Sequence, residues 1–173
     1  MEEIHRDRAP LIEAAMGPEA DLVKPRFARG CRCFAVIFDG AIAGYGWLAT
    51  GPEWIGELQL EIKPRQAEAY IWNCVTLAEH RRKGIFRSLL LGLHDAARKQ
   101  GLERLWIGSV AIPAERAVGP SGFRPALRFV SMAAAGLHVL RASRADDALG
   151  ADAERVLSIA PGLHVRRARR VRH

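Results

Sequence analysis

The stretch of sequence that decides the fold is TLAEHRRKGIF, residues 76–86, which joins two segments of different pattern. Before it, EAYIWNCVTL (residues 68–77) is rich in aromatic and β-branched residues, which predicts a central strand. After it, apolar residues recur at three- and four-residue steps from Ile85 to Leu93, and Gly101 closes the run. This second pattern predicts an amphipathic helix, so residues 76–86 are predicted to be the turn at which a strand enters a helix.

The start of this helix is a predicted anion site. The first turn of a helix leaves backbone N–H groups without intrahelical acceptors and carries partial positive charge. Arg81, Arg82 and Lys83 add three cations beside those amides, and Gly84 removes a side chain where a ligand must approach the backbone. Taken alone, the same residues also fit a solvated basic helix cap, so the interpretation depends on the elements around them.

The segments around the turn predict a mixed sheet. CRCFAVIF and AIAGYGWLA are separated by Asp39-Gly40, which predicts a hairpin with a type I′ turn. A second antiparallel pair is predicted between ELQLEIK (residues 57–63) and the central strand. LERLWIGSVA (residues 102–111) follows the helix after a short connection, so the strand–helix–strand order predicts that it lies parallel to the central strand.

Both ends of the chain contain further predicted elements. Residues 9–30 predict two helical pieces, broken around Gly17-Pro18 and again at Pro25. Residues 123–134 predict one further strand, and residues 143–160 predict a weak helix.

Length and composition favour one main globular domain. The chain has 173 residues, of which 49% are hydrophobic and 26% charged, which excludes wholesale disorder. We expect the domain to cover residues 1–140, followed by a C-terminal extension over residues 141–173.

The positive charge is concentrated at the C-terminal end. Five of the seven net positive charges come from the arginines of the last nine residues, VRRARRVRH, which contain no acid. Basic segments attract phosphate, but the rest of the chain is nearly neutral. We therefore interpret this end as a solvated tail and do not expect nucleic acid to be the main partner.

The remaining composition points to a cytoplasmic protein without a membrane partner. No apolar run approaches the roughly 20 residues that cross a bilayer, and the first residues, MEEIHRDR, are charged. Cys31, Cys33 and Cys74 are odd in number and form no Cys-x-x-Cys pair, so no metal site is expected.

The order of these elements resembles the GNAT superfamily of acyl-CoA-dependent N-acyltransferases, over roughly residues 30–135. The resemblance rests on the central strand, Arg-x-x-Gly at Arg81 and Gly84, the amphipathic helix, the parallel strand and a late Gly122-Phe123. The family's usual core is Val-x-Pro-x-x-Arg-x-x-Gly-x-Gly/Ala, and its positions are occupied here by Thr76, Ala78, Arg81, Gly84 and Phe86. The resemblance implies an α/β fold with a mixed, mostly antiparallel sheet, a splayed parallel strand pair and flanking helices.

The resemblance also implies where an acyl-CoA binds. Backbone amides from Arg82 to Phe86 would hold the coenzyme A pyrophosphate, and the pantetheine arm would lie along the end of the central strand, where the two parallel strands splay apart. The coenzyme-binding residues implied in this way are Cys74, Val75, Thr76, Arg81, Arg82, Lys83, Gly84, Ile85 and Phe86. The Cys74 N–H would face the thioester oxygen as an oxyanion donor, so the thiol itself need not act.

Direct transfer of the acyl group to an amine requires a base. Only about one lysine-like amine in a thousand is neutral at pH 7, so a base or a water chain has to take its proton. Glu68 is the first candidate, because two-residue periodicity puts Glu68 and Tyr70 on the face of Cys74. Tyr70 aligns with the position of a basic glutamate in some family members. Glu61 is the second candidate, and His80 is a candidate proton shuttle. For both glutamates, the alternative that the carboxylate is only a solvated group at a strand end stays open.

The segment before Gly122-Phe123 departs from the family pattern. Many members place an asparagine and a tyrosine there, with the tyrosine near the leaving sulfur, and the matching positions here are Ala111 and Val118. Neither side chain can donate a proton. Either the thiolate leaves unassisted, since a thiol has a pKa of about 8.5, or Tyr70 or Ser109 supplies a hydroxyl, or catalysis has been lost.

The resemblance therefore implies an N-acetyltransferase that moves an acyl group from acetyl-CoA or another acyl-CoA to a primary amine by direct attack. We expect the amine on a small molecule or a peptide, with Trp54 a candidate to border its pocket. The alternative is a non-catalytic acyl-CoA-binding or regulatory domain of the same fold. The sequence leaves a homodimer open.

Overall fold

A computed structural model describes residues 1–109 and 116–167. Its β-strands are, in chain order, β1 (Glu2–Ile4), β2 (Arg32–Phe38), β3 (Ala41–Ala49), β4 (Glu53–Ile55), β5 (Leu60–Ile62), β6 (Glu68–Thr76), β7 (Arg104–Ile107), β8 (Leu127–Ala134), β9 (Leu137–Arg144) and β10 (Gly162–Arg167). Its longer α-helices are α1 (Ala9–Met16), α2 (Val23–Ala28), α3 (Ile85–Lys99) and α4 (Asp147–Leu157). The chain divides into two compact units, Met1–Gly51 with Pro64–Gly122 and Pro52–Lys63 with Phe123–His173.

The first unit is built on a five-stranded sheet of order β1-β2-β3-β6-β7. The β6–β7 pair is parallel and the other pairs are antiparallel, so the predicted mixed, mostly antiparallel sheet is confirmed. The predicted β2–β3 hairpin is present. Asp39 and Gly40 have φ of 51° and 79°, the left-handed conformation that a type I′ turn requires at both central residues.

The predicted pairing of residues 57–63 with the central strand is wrong. The central strand, β6, pairs with β3 on one side and, up to Ile71, with β7 on the other, and it does not pair with β5. β5 pairs instead with β4, and its residues Leu60 and Ile62 are buried.

Helices cover both faces of the first unit's sheet. On one face, α3 buries its apolar stripe, which consists of Ile85, Leu89, Leu90, Leu93 and Ala97. On the other face, residues of α1 and α2 form a core cluster with Tyr45 and Trp47 of β3. Spanning a bilayer would take a longer and more apolar helix than any among the described residues.

The N-terminal helices follow the predicted break at Gly17 but not the one at Pro25. Gly17 has φ of 56° and ends α1, and a 3-10 helix over Gly17–Leu22 leads into α2. Pro25 lies in the first turn of α2. The N–H groups of a first turn have no intrahelical acceptor, so a proline is tolerated there.

The second unit contains the β4–β5 hairpin, an antiparallel sheet of order β10-β9-β8, and α4. The strand predicted over residues 123–134 corresponds to β8, and the predicted weak helix corresponds to α4. Asp146 caps α4, accepting a hydrogen bond from the Leu149 N–H at 2.8 Å. The expected domain boundary at residue 140 falls inside β9, which pairs with β8 on one side and β10 on the other.

The first residues of the predicted arginine-rich tail belong to a β-strand. Arg166 and Arg167 are exposed, as expected, but they lie in β10 and pair with β9. The other three arginines lie in residues 168–173, outside the described residues.

We predict that Gly46→Ala destabilises the protein through the thiol of Cys74. A β-carbon at position 46 would lie 2.8 Å from Cys74 Sγ and 3.2 Å from Leu89 Cδ2. Overpacking of this kind costs about 1–3 kcal/mol, and the free energy of unfolding measured by urea titration is expected to fall by that amount.

Two further variants test this cause. Gly51→Ala is the matched control, because in the described part of the chain no residue beyond its two neighbours has an atom within 4 Å of a β-carbon there. Adding Cys74→Ala removes the sulfur, so Gly46→Ala is expected to cost less in that background than in the natural one. An equal cost in both backgrounds would show that the thiol is not the obstacle.

Candidate functional site

The two parallel strands separate part-way along β6. Their last register pair is Ile71↔Ile107, whereas β6 continues to Thr76. Beyond Ile71, β6 pairs only with β3 among the strands of the described residues. The N–H and C=O groups on the other edge of residues 72–76 therefore have no strand partner among the described residues, and buried backbone groups need partners.

An extra residue in β6 follows this separation. Tyr45 is opposite Val75, and Trp47 is opposite Trp72, so a step of two residues in β3 corresponds to a step of three in β6. The residue at this β-bulge is Asn73, whose φ is 46°. Asparagine tolerates such a left-handed value better than most residues.

The bulge changes the predicted side-chain directions in β6. Trp72 and Val75 both pack against the cluster formed with α1 and α2, whereas the Cys74 thiol points to the α3 face. The prediction that Glu68 and Tyr70 share a face with Cys74 is therefore wrong, because one added residue reverses the alternation for the rest of the strand.

The turn from β6 into α3 combines exposed cations with an open backbone. After a 3-10 turn at Ala78–His80, Arg81, Arg82 and Lys83 are exposed. Arg82 and Gly84 have φ of 63° and 76°, and among the described residues, its two chain neighbours apart, no atom lies within 4 Å of a β-carbon built on Gly84. The first N–H groups of α3 lack intrahelical acceptors by their position, so the turn can bind an anion.

Phe38, at the end of β2, packs against this turn. Lys83 Nζ lies 5.1 Å from the centroid of the Phe38 ring, and the His80 ring meets it edge-on at 5.8 Å. Two buried atoms near the turn, Thr76 Oγ1 and His80 Nδ1, have no hydrogen-bond partner among the described residues. Buried polar atoms without partners cost free energy, so a ligand that supplies polar groups here would be stabilised.

The Cys74 thiol is unsuited to nucleophilic chemistry. Burial raises the pKa of the Cys74 thiol to about 12, so the thiol is almost entirely protonated at neutral pH, and the thiolate is the reactive form. This environment agrees with the interpretation that any role of Cys74 is carried by its backbone N–H.

Glu68 lies at the far end of β6 and is held by other groups. Its carboxylate accepts hydrogen bonds from Trp106 Nε1 at 2.9 Å and from the Arg65 N–H at 3.2 Å, and it lies 3.8 Å from Arg104 Nη1. A separation of six residues from Cys74 corresponds to about 20 Å along a strand. The structure does not bring Glu68 to the turn, and these partners favour a structural role.

Glu61 and Trp54 both belong to the second unit. Glu61, in β5, forms an ion pair with Lys63 at 2.9 Å. Trp54 lies in β4 rather than in a loop, and its side chain is 41% exposed. Their roles as a base and as the border of an acceptor pocket stay predictions.

Tyr70 is the catalytic candidate whose side chain reaches the separation of the strands. Its side chain is buried, and a β-carbon built on Gly108 would lie 3.3 Å from the Tyr70 hydroxyl. Gly108 follows directly after the last residue of β7, and Ser109 is next to it. Val118 is half-buried in a short helical turn, and Ala111 lies outside the described residues.

The sequence did not identify two residues near the site, Asn73 and Arg26. Arg26, in α2, is buried and donates a hydrogen bond from Nη1 to Asn73 Oδ1 at 2.8 Å. An asparagine within a run of strand-forming residues is a weak signal for a bulge. No sequence pattern indicates that Arg26 is buried near the site, because a charged residue in a helix is usually exposed.

Comparison with known proteins supports the same fold. The model of the acetyltransferase (GNAT) family matches residues 2–119. The chain belongs to this family. No curated protein is similar enough to count as a match.

Solved structures of GNAT acetyltransferases resemble the chain. The ribosomal-protein-S18-alanine N-acetyltransferase from Escherichia coli has 17% identity and a TM-score of 0.56, with 73% of this chain and 79% of that chain covered. An aminoglycoside N-acetyltransferase in complex with CoA has 11% identity and a TM-score of 0.54, with 71% and 90% covered. The ribosomal-protein-alanine N-acetyltransferase from Brucella melitensis biovar Abortus 2308 has 18% identity and a TM-score of 0.51, with 71% and 90% covered. At such identities the likeness shows the GNAT fold.

Glu68→Gln separates the structural role of Glu68 from the predicted role as the base. The hydrogen bonds from Trp106 and the Arg65 N–H favour the first, so we expect the free energy of unfolding to fall by about 1–2 kcal/mol and the pH profile of turnover to keep its shape. The measurements are urea titration and thiol release between pH 6 and pH 9, roughly the range in which a base for an amine would titrate. A loss of turnover confined to the lower pH values would instead identify Glu68 as the base.

Proposed function

We propose that the protein is an N-acyltransferase that moves an acyl group from acetyl-CoA or another acyl-CoA to a primary amine by direct attack. The observation that carries this proposal is that β6 has no strand partner on its β7 side after Ile71 among the described residues and leads, within ten residues of the chain, to the cation-bordered start of α3. The aminoglycoside acetyltransferase that resembles the chain was solved in complex with CoA, which supports the same class of co-substrate.

The residues of the turn suit an acyl-CoA in their chemistry. We assign the pyrophosphate to the backbone N–H groups from Arg82 to Phe86, with Arg81 and Lys83 as additional cations, because charge-assisted hydrogen bonds suit phosphate. Phe86 replaces a small residue of the family pattern, and its backbone N–H stays available. The pantetheine amides would pair with the free edge of Cys74, Val75 and Thr76, which has no strand partner on the β7 side in the described part of the chain.

The reaction itself asks little of side chains. The amine nitrogen forms a bond to the acyl carbon as the carbon–sulfur bond breaks, and the proton of the amine is finally lost to a base or to water. We assign the Cys74 N–H to the acyl oxygen, where negative charge develops during the attack. The Tyr70 hydroxyl is the candidate donor to the leaving sulfur, although a thiol pKa of about 8.5 also permits departure without help.

The acceptor is a primary amine on a small molecule or a peptide. Two of the resembling enzymes are named for aminoglycoside and ribosomal-protein acceptors, which supports this chemical class without choosing a member. A cytoplasmic location and a homodimer stay predictions from the sequence.

The second candidate function is a non-catalytic acyl-CoA-binding or regulatory domain. Val118 cannot donate a proton, and the Glu68 carboxylate already has three partners. Calorimetry with acetyl-CoA, followed by thiol release across a panel of amines, distinguishes the two. Binding with turnover supports the enzyme, and binding without turnover supports the alternative.

We predict that Gly84→Glu abolishes acyl-CoA binding by placing a carboxylate in the phosphate site. Gly84→Gln is the matched control, because both variants carry the cost of a side chain at φ 76°, about 1–2 kcal/mol, and only one adds a negative charge. In calorimetry the glutamate variant should bind CoA at least tenfold more weakly than the glutamine variant. Equal affinities would refute this placement of the phosphates.

Tyr70→Phe tests the assignment of the proton donor. We expect thiol release to slow by about 10²-fold or more. The affinity for CoA should stay within a factor of about two, because CoA binding does not need the hydroxyl. Tyr45→Phe is the control, because Tyr45 is also buried but lies in β3. Similar rates for both variants would remove Tyr70 from the mechanism.

A further inference from the structure

Arg26 is a buried cation in the core beneath the β6 bulge. It is 4% exposed, and its guanidinium lies 4.3 Å from the Trp72 ring centroid and 5.1 Å from that of Trp47. Its Nη1 donates to Asn73 Oδ1 at 2.8 Å, and its Nη2 lies 3.8 Å from Glu19 Oε2. The guanidinium therefore contacts two aromatic rings and directs one N–H at the bulge.

A charge in this position has a physical cost. Moving a guanidinium out of water is unfavourable, and an apolar side chain of similar volume often fills such a space with equal or better stability. The Glu19 side chain is 51% exposed, so water screens its attraction for the cation. What an apolar residue could not do is bind the amide oxygen of Asn73.

Asn73 needs this kind of support because of its backbone. Its φ of 46° is left-handed, and such values persist in non-glycine residues only where the surroundings hold them. The pairing of β6 with β7 has ended two residues earlier, at Ile71, so no strand within residues 1–109 and 116–167 fixes the bulge from that side. A hydrogen bond that restrains the Asn73 side chain also restrains the peptide unit between Asn73 and Cys74.

We propose that Arg26 is a positioning residue that holds the Asn73 bulge and thereby aims the Cys74 backbone N–H at the acyl oxygen of the bound thioester. This inference rests on the proposed function, since it assigns the Cys74 N–H to that oxygen. It separates two parts of the site. The turn that binds the pyrophosphate starts several residues later, at Arg81, and does not depend on Arg26.

Because these two parts of the site are separate, a change at Arg26 should weaken the binding of the acyl group alone. Arg26→Met keeps an unbranched apolar side chain against the two tryptophans and loses the hydrogen bond to Asn73. We expect acetyl-CoA to bind about fivefold more weakly, the effect of losing one hydrogen bond between neutral groups, while CoA, which has no acyl group, binds within about twofold of its natural affinity. The measured quantity is the ratio of the two dissociation constants, by calorimetry on one preparation whose folding is verified by circular dichroism.

Three further variants show whether Arg26 acts through Asn73. Asn73→Gly keeps a left-handed backbone accessible but loses the amide, so it should change the ratio as Arg26→Met does, and the double variant should add nothing. Asn73→Asp keeps an acceptor for the guanidinium and should restore the natural ratio. Glu19→Gln removes the ion pair without touching the bulge and should leave the ratio unchanged.

The outcomes are distinct. A natural protein that binds neither acetyl-CoA nor CoA would end the proposed function and this inference with it. Natural binding with an unchanged ratio in folded Arg26→Met, or with equal losses for both ligands, would overturn the positioning role while leaving the proposed function standing. If Arg26→Met does not fold, the two Asn73 variants decide. A ratio of dissociation constants that changes in Asn73→Gly and is natural in Asn73→Asp supports the positioning role. The same ratio in both variants overturns it.

Discussion

The separation of β6 from β7 is the constraint on which the site depends. β6 stays in place because its antiparallel ladder with β3 continues to Gly44↔Thr76, long after its pairing with β7 has ended at Ile71. A strand held on one edge keeps its direction and presents the polar groups of its other edge. Gly44 and Gly46 leave room for Ile85 and Leu89 of α3 and for the Cys74 thiol, so β3 positions both β6 and α3, the two elements that carry the proposed acyl-CoA site.

Local patterns explain what could be predicted from the sequence. The strand at residues 68–76, the turn with Gly84 and the helix to Lys99 follow from periodicity and from glycine conformation, which depend on neighbouring residues only. The partner of residues 60–62 could not be predicted, because β pairing is non-local and a short apolar run fits several sheets. Of the elements after residue 126, β8 and α4 were predicted from the sequence, whereas β9 and β10 were not.

One residue accounts for the error in the candidate site. A bulge adds a residue to a strand without disturbing its apolar composition, so the alternation from Glu68 to Cys74 appears regular in the sequence although Asn73 reverses it. The same added residue turns the Cys74 thiol towards α3, where burial keeps it protonated, and leaves Tyr70 on the opposite face. Two-residue periodicity therefore assigned Glu68 and Tyr70 to the face of Cys74 on the assumption of a regular strand, whereas β6 contains a bulge between them and Cys74.

A site built from backbone groups explains why the chain can depart so far from the family pattern. The three acetyltransferase structures described above share only 11% to 18% of residues with it, and Thr76, Ala78 and Phe86 all differ from the usual core. A backbone N–H still donates to a ligand after such side-chain substitutions, provided that its peptide unit keeps its direction. Selection should then act on the residues that set backbone angles, Gly84 at the turn and Asn73 at the bulge, and on Arg26, which holds Asn73 from the opposite side of the strand.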